Sequence, residues 1–139
     1  MSRAVAIVDT NVVVAGLLTG SDTSPVARML DGMLRAALQF VVSEALLAEY
    51  HAVLVRPGLR KLHGLSVSEI EVLLTTLARH AIVLEPATAA SAPDPGDQML
   101  WDLLAARSDL LLVTGDKRLI QDPGMKGRVI TSAAFLAGS

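Results

Sequence analysis

Residues 4–8, Ala-Val-Ala-Ile-Val, form an unbroken apolar run that ends in Asp9-Thr10-Asn11 before a second apolar run opens at Val12. Five apolar residues, three of them β-branched, suit a strand buried on both faces, the kind found inside a parallel sheet. A carboxylate at the carboxyl end of a first parallel strand stands where open α/β sheets bind their ligands. The same Asp could instead cap the helix that follows, and on this stretch alone the two readings are balanced.

The rest of the chain alternates between the two periods. Ser24 and Pro25 suit an N-cap and first helical position, followed by Val26, Leu30, Met33 and Leu34 at helical spacing. A short strand is expected over 39–42 and a helix over 43–56, with Pro57-Gly58 as its stop signal. Ser66-Val67-Ser68-Glu69 is a capping-box pattern opening a helix with Val67, Ile70, Leu74 and Leu77 on one face. A third strand is expected over 81–84, a loop over 86–95 and a helix over 97–107. A fourth buried strand over 110–113 runs into Thr114-Gly115-Asp116. A short helix over 117–121, a turn at Asp122-Pro123-Gly124, a strand over 128–130 and a terminal helix complete the chain. Strands alternating with helices indicate an α/β class with a parallel sheet covered on both faces, in one domain spanning 1–139.

Composition narrows the function. Hydrophobic residues make up 52% of the 139 and charged residues only 19%, so part of the surface is expected to lie under a second copy or a partner. The helices over 26–38 and 67–77 are the candidate contact surfaces for a homodimer. A net charge of −2 excludes a uniformly basic nucleic-acid-binding surface, so any such contact must be local. Aromatic residues at 3% exclude a base-stacking platform. The absence of cysteine excludes thiolate metal sites and nucleophiles. The apolar start is broken by Asp9 and Asn11, unlike a signal peptide, and no apolar segment approaches the ~20 residues of a membrane helix. A cytoplasmic protein is expected.

Two strands, the first and the fourth, end in Asp: Asp9 and Asp116. Helix geometry at ~100° per residue puts Glu49 at the margin of the Leu46/Tyr50/Val53 stripe and Glu44 on the opposite face. The same geometry puts Asp97 with Leu100 and Leu104, and Asp102 with Gln98 on the other side. Four inward-tending acids, Asp9, Glu49, Asp97 and Asp116, repel one another unless a cation intervenes. Oxygen donors without a Cys or His cluster suit Mg²⁺ or Mn²⁺, and such a pocket suits metal-assisted phosphodiester hydrolysis.

Val8-Asp9-Thr10-Asn11, the run from Ser43 to Tyr50, Asp94-Pro95-Gly96-Asp97 and Leu112-Val113-Thr114-Gly115-Asp116 resemble, in order and spacing, the PIN-domain ribonucleases. The resemblance is to the branch of prokaryotic toxin–antitoxin toxins. It implies a three-layer α/β/α domain with a mostly parallel sheet of about five strands. It further implies a Mg²⁺- or Mn²⁺-dependent endoribonuclease and an antitoxin partner. The family's acidic positions fall on Asp9, Glu49, Asp97 and Asp116, and its supporting polar positions on Asn11 and Thr114. Gly96, Gln98 and Trp101-Asp102 depart from the family's usual pattern. The alternatives are the same fold as a catalytically weak RNA-binding or protein-interaction module and, more remotely, an Asp-nucleophile phosphotransfer domain.

Overall fold

The structure, a computed structural model, describes residues 4–89, 91–122 and 127–138. Strand β1 (Val5–Val8) is buried along its whole length. It lies at the centre of a five-stranded, all-parallel sheet. Its partners are β2 (Phe40–Val42) on one side and β4 (Leu110–Val113) on the other. Strand β3 (Ile82–Val83) closes one edge and β5 (Val129–Ile130) the other, giving the order β3-β2-β1-β4-β5. Helices cover both faces, which makes a three-layer α/β/α fold.

The chain builds outward from β1 to β2 and β3, then crosses to the far side of β1 for β4 and β5. The direction of winding therefore reverses between β1 and β4. Beyond the carboxyl ends of strands at such a reversal an α/β sheet has its natural crevice. Register aligns Val8 with Val113, so Asp9 and Thr114 leave the sheet side by side.

The helix boundaries follow local chemistry. Helix α1 (Thr10–Leu18) packs on α2 (Pro25–Leu34), and Gly16 allows their close approach: a Cβ there would stand 2.8 Å from the Val26 carbonyl oxygen and 2.9 Å from Leu30 Cβ. Ser24 caps α2 by accepting from the Ala27 amide at 3.3 Å, with Pro25 in the first turn. Ser43 caps α3 (Glu44–Leu54) through the Leu46 amide at 3.1 Å. Ser66 and Glu69 form the expected capping box on α5 (Val67–His80).

Two sequence expectations need correction. Pro57-Gly58 does not simply end a helix: α3 has already stopped, and Pro57 opens a further helix, α4 (Pro57–His63). Proline is well tolerated in a first turn, where its missing N–H would have no intrahelical acceptor. The helix expected over 97–107 is α6 (Gln98–Leu104), preceded by one 3₁₀ turn (Pro95–Asp97). The Asp94 carboxylate accepts from the Gly96 amide at 2.8 Å and tightens that turn. Helices α7 (Lys117–Ile120) and α8 (Ser132–Ala137) are short, and the expected turn at Pro123-Gly124 lies outside the described residues.

The departures at 101 and 102 have structural roles. Trp101 is buried in the core. The Asp102 carboxylate accepts from the Ala89 amide at 3.1 Å and from Gln98 Nε2 at 2.9 Å, and so fastens the loop after β3 to α6. No helix among the described residues is long and apolar enough to cross a membrane.

Candidate active site

Asp9 occupies the N-cap position of α1, yet its side chain makes no capping bond. Its backbone N–H extends the sheet by donating to the Val113 carbonyl at 2.9 Å, and its carboxylate turns toward the β4 terminus. There Asp9 Oδ2 accepts from Thr114 Oγ1 at 2.8 Å and from Asn11 Nδ2 at 3.3 Å. Thr114 Oγ1 in turn accepts from Asn11 Nδ2 at 3.2 Å and from the Asp116 amide at 3.1 Å. Asn11 Oδ1 accepts from the Gly115 amide at 3.1 Å. The Thr114 hydroxyl thus uses its one proton and both lone pairs, and the turns after β1 and β4 are held together through Asp9.

Helix α3 contributes Glu49, whose carboxylate accepts a short hydrogen bond from Thr10 Oγ1. Glu44, on the opposite face, is exposed. The neighbouring Tyr50 is fully buried and donates its hydroxyl to the Val8 carbonyl. Burial, together with the charges of Asp9 and Glu49, pushes the Tyr50 phenol above its ordinary range, so it serves as a neutral donor. Thr10 and Tyr50 were not assigned to the site from sequence. Thr10 lies within the Asp-Thr-Asn stretch, but its cross-chain partner, Glu49, becomes visible only once α3 is placed.

Asp97 ends the 3₁₀ turn at the N-cap of α6 and, like Asp9, makes no capping bond. Asp116 does cap: its Oδ1 accepts from the Arg118 amide at 2.9 Å at the start of α7. The Arg118 guanidinium also pairs with it, Nη2 to Oδ2 at 3.0 Å. Asp94, Asp97, Asp116 and Arg118 line one cleft of about 300 Å³.

Mutual repulsion predicts raised pKa values, and Asp9 and Asp97 follow it. Asp9 is only 9% exposed. Burial raises its pKa most, the Thr114 hydrogen bond opposes that, and the charges of Glu49 and Asp97 add to it. Asp97 is raised by burial first and then by Asp94, Asp116 and Glu49, against relief from Arg118. Asp116 departs from the expectation: its hydrogen bond with Arg118 holds it below the usual carboxylate range. Arg118 was not singled out from sequence, because nothing in Asp116-Lys117-Arg118 fixes an arginine folded back over its own helix cap.

Asp97 connects the acids electrostatically: it raises the pKa of Asp9 and is itself raised by Asp116 and Glu49. Asp9 and Glu49 sit at β1 and α3; Asp97 and Asp116 line one cleft. Among the described residues no three Asp, Glu or His side chains stand close enough to enclose one ion. The donor set nonetheless fits Mg²⁺, which typically takes one or two carboxylates and completes its shell with water and substrate phosphate.

The sequence pattern of the PIN domain matches residues 5–118, from the first residue of β1 to Arg118. The chain belongs to the PIN domain family. PIN domains are generally nucleases, bind RNA and typically use divalent metals. The matched span contains Asp9, Glu49, Asp97 and Asp116 together with Asn11 and Thr114. Among curated proteins, none matches the chain.

The arrangement around Asp116 sets an expected result. Asn caps a helix about as well as Asp, and an exposed ion pair contributes little to stability. Asp116→Asn should therefore leave the melting temperature unchanged or slightly lowered at neutral pH. The depressed pKa gives the same sign: ionised Asp116 favours folding, and that contribution is lost as pH falls. A clear rise in melting temperature in EDTA would show that repulsion, not the Arg118 pair, dominates at this position.

Proposed function

We propose that this PIN domain is a Mg²⁺- or Mn²⁺-dependent endoribonuclease, with Asp9, Glu49, Asp97 and Asp116 as the acids that act on metal and substrate and Asn11 and Thr114 as their support. The observation that carries this reading is that Asp9 and Asp97 occupy helix N-cap positions without capping. Their carboxylates are thus left without the structural duty that most often explains an Asp at such a position. Both are also raised in pKa by burial and neighbouring acids, the condition that a divalent cation relieves.

The chain's own residues divide the work. Thr114 and Asn11 fix the rotamer of Asp9, and Thr10 fixes that of Glu49. Tyr50 braces the Val8 carbonyl, the last of β1. Arg118, bonded to Asp116, is a cation of this cleft that also feels the charges of Asp94 and Asp97. Its guanidinium is free to exchange Asp116 for a phosphate oxygen, since its side chain is 80% exposed. A bound divalent ion supplies positive charge at the phosphodiester and acidifies water.

The histidines supply no base for attack by the ribose 2′-OH. His51 pairs with Glu71 at 3.0 Å, His63 is bonded to the Leu54 carbonyl at 2.9 Å, and His80 is exposed at the end of α5. Hydrolysis by water is therefore expected, giving 5′-phosphate and 3′-hydroxyl ends. Incubation of defined RNAs with and without Mg²⁺ or Mn²⁺, followed by analysis of the ends, tests this. Cyclic 2′,3′-phosphates would overturn it.

We further propose a single domain over 1–139 in the cytoplasm, acting as the toxin of a toxin–antitoxin pair. A homodimer is favoured by the exposed Val67 and Val72 on α5. Growth arrest on expression of the protein, absent with Asp9→Asn, would support the toxin role; normal growth would remove it. The second reading, a catalytically weak RNA-binding module, draws on the Arg118–Asp116 pair, which neutralises one of the four acids. RNA binding without cleavage in any divalent metal would favour it.

A further inference from the structure

Helix α4 contributes no buried residue to the core. It is also where the chain's positive charge gathers. Between Glu49 and Glu69 there is no acid, while Arg56, Arg60 and Lys61 fall within six consecutive positions of a chain whose net charge is −2. All three are exposed. Arg35, Arg107 and Arg118 each pair with a carboxylate, whereas among the described residues Arg56, Arg60 and Lys61 make no ion pair. The nearby Glu69 spends its carboxylate on the Ser66 amide in the capping box.

Part of this arrangement is unfavourable for the helix, although Arg60 and Lys61 lie in its last turn, where cations suit the dipole. Arg56 is the N-cap of α4, where a cation opposes the helix dipole. Arg56 and Arg60 are like charges four residues apart, which also destabilises. Among the described residues no ion pair offsets either cost, so the helix alone does not account for Arg56.

Its position relates it to the acids. Two residues of α3 reach the carboxyl edge of the sheet, where Glu49 meets Thr10 and Tyr50 meets the Val8 carbonyl. Six residues carry the chain from Glu49 to Val55, roughly 9 Å along the axis. Helix α4 then packs against α1 and α3, which carry Asn11 and Glu49.

We propose that α4 is an anchoring site for the phosphate backbone of single-stranded RNA, with Arg56, Arg60 and Lys61 as its contacts, holding the strand beside the carboxylate site. The proposal rests on the ribonuclease reading for the identity of the ligand. Its chemistry is sequence-independent, because three exposed cations on a helix with no aromatic residue read phosphate and not bases. The same local patch lets an acidic protein hold a polyanion without a basic surface elsewhere.

The test uses Asp9→Asn in EDTA, so that a fluorescently labelled single-stranded RNA is bound and not cut. Its affinity is measured against salt concentration by anisotropy. Each phosphate contact on a single strand contributes ~0.7 to the slope of log affinity against log salt. Adding Arg56→Ala, Arg60→Ala and Lys61→Ala should make the slope shallower by about 2 and weaken binding. Replacing both arginines by lysine should restore the slope, since a phosphate contact needs only charge. Arg28→Ala with Arg79→Ala, exposed cations elsewhere, should leave it unchanged. An unaltered slope in the triple variant, or an equal loss in the Arg28/Arg79 control, would overturn the proposal. Cleavage is read separately, with Asp9 intact and metal present: a raised KM with kcat retained is expected from the α4 triple variant. Absence of cleavage by the unmodified protein would defeat the ribonuclease reading while leaving the slope measurement to decide the role of α4.

Discussion

Asp9→Asn is expected to abolish metal-dependent RNA cleavage and, in metal-free buffer at neutral pH, to raise the melting temperature. The loss of activity should exceed the ~10–100-fold that follows from disturbing residues behind a metal ligand, because a donor itself is removed. The gain in stability comes from burial. Asp9 is 9% exposed, and its pKa is raised by that burial and by Glu49 and Asp97. Ionised Asp9 therefore opposes folding. The penalty is absent below about pH 4, where the carboxyl is protonated in folded and unfolded chains alike, and it grows as pH rises through the folded value. Asn keeps an oxygen to accept from Thr114 and Asn11 and carries no charge. The difference in melting temperature between the two proteins should thus close as pH falls toward 4. Mg²⁺ should stabilise the unmodified protein more than Asp9→Asn, since a ligand of the native state raises apparent stability by mass action. Differential scanning fluorimetry across pH, with and without Mg²⁺, checks each part; a variant that melts lower at pH 7 in EDTA would contradict the electrostatic account of Asp9.

Glu49→Gln and Glu44→Gln should behave differently although both lie on α3. Glu49 accepts from Thr10 and raises the pKa of Asp9, while Glu44 is exposed on the other face. Glu49→Gln keeps an acceptor for Thr10 but removes the charge, and on the order of 10²-fold or more of cleavage should go with it. Glu44→Gln should cleave as the unmodified protein does. Steady-state cleavage of one RNA by the three proteins, at saturating Mn²⁺, separates a charge requirement at Glu49 from a general effect on the helix.

The sheet and most helix starts were legible because each rests on a local rule. The run ending at Val8 could be read as a buried strand from its length and β-branching alone. Ser24-Pro25 and Ser66 to Glu69 are self-contained capping signals. The chain around Pro57 was not legible in the same way. Leu59 and Leu62 are too few to declare a helical period, and Pro57 serves equally well as a stop or as a first-turn residue. The 3₁₀ turn before α6 depends on the Asp94 carboxylate reaching Gly96, a choice of rotamer that no periodicity encodes.

At the site, helix phase separated Glu49 from Glu44 because both lie on the regular helix α3; Asp97 ends a 3₁₀ turn, so its separation from Asp102 rests on the turn as well as on α6. What phase could not supply was the partner of each acid. Thr114 meets Asp9 only through the alignment of β1 with β4, a contact that spans 105 residues of sequence. Thr10 meets Glu49 across 39. The Arg118 pairing was illegible for the opposite reason: it is so local that solvent exposure and pairing look the same in the sequence. Asp116 caps α7 and also lines the cleft beside Asp97.

The central claim, that these carboxylates act together on a divalent ion, is tested most directly by Mn²⁺ binding measured with electron paramagnetic resonance. The unmodified protein should bind Mn²⁺, and Asp9→Asn, Glu49→Gln, Asp97→Asn and Asp116→Asn should each weaken that binding by about tenfold or more, while Glu44→Gln and Asp102→Asn bind as before. Equal Mn²⁺ affinity in the unmodified protein and in the Asp9→Asn and Asp97→Asn variants would contradict it.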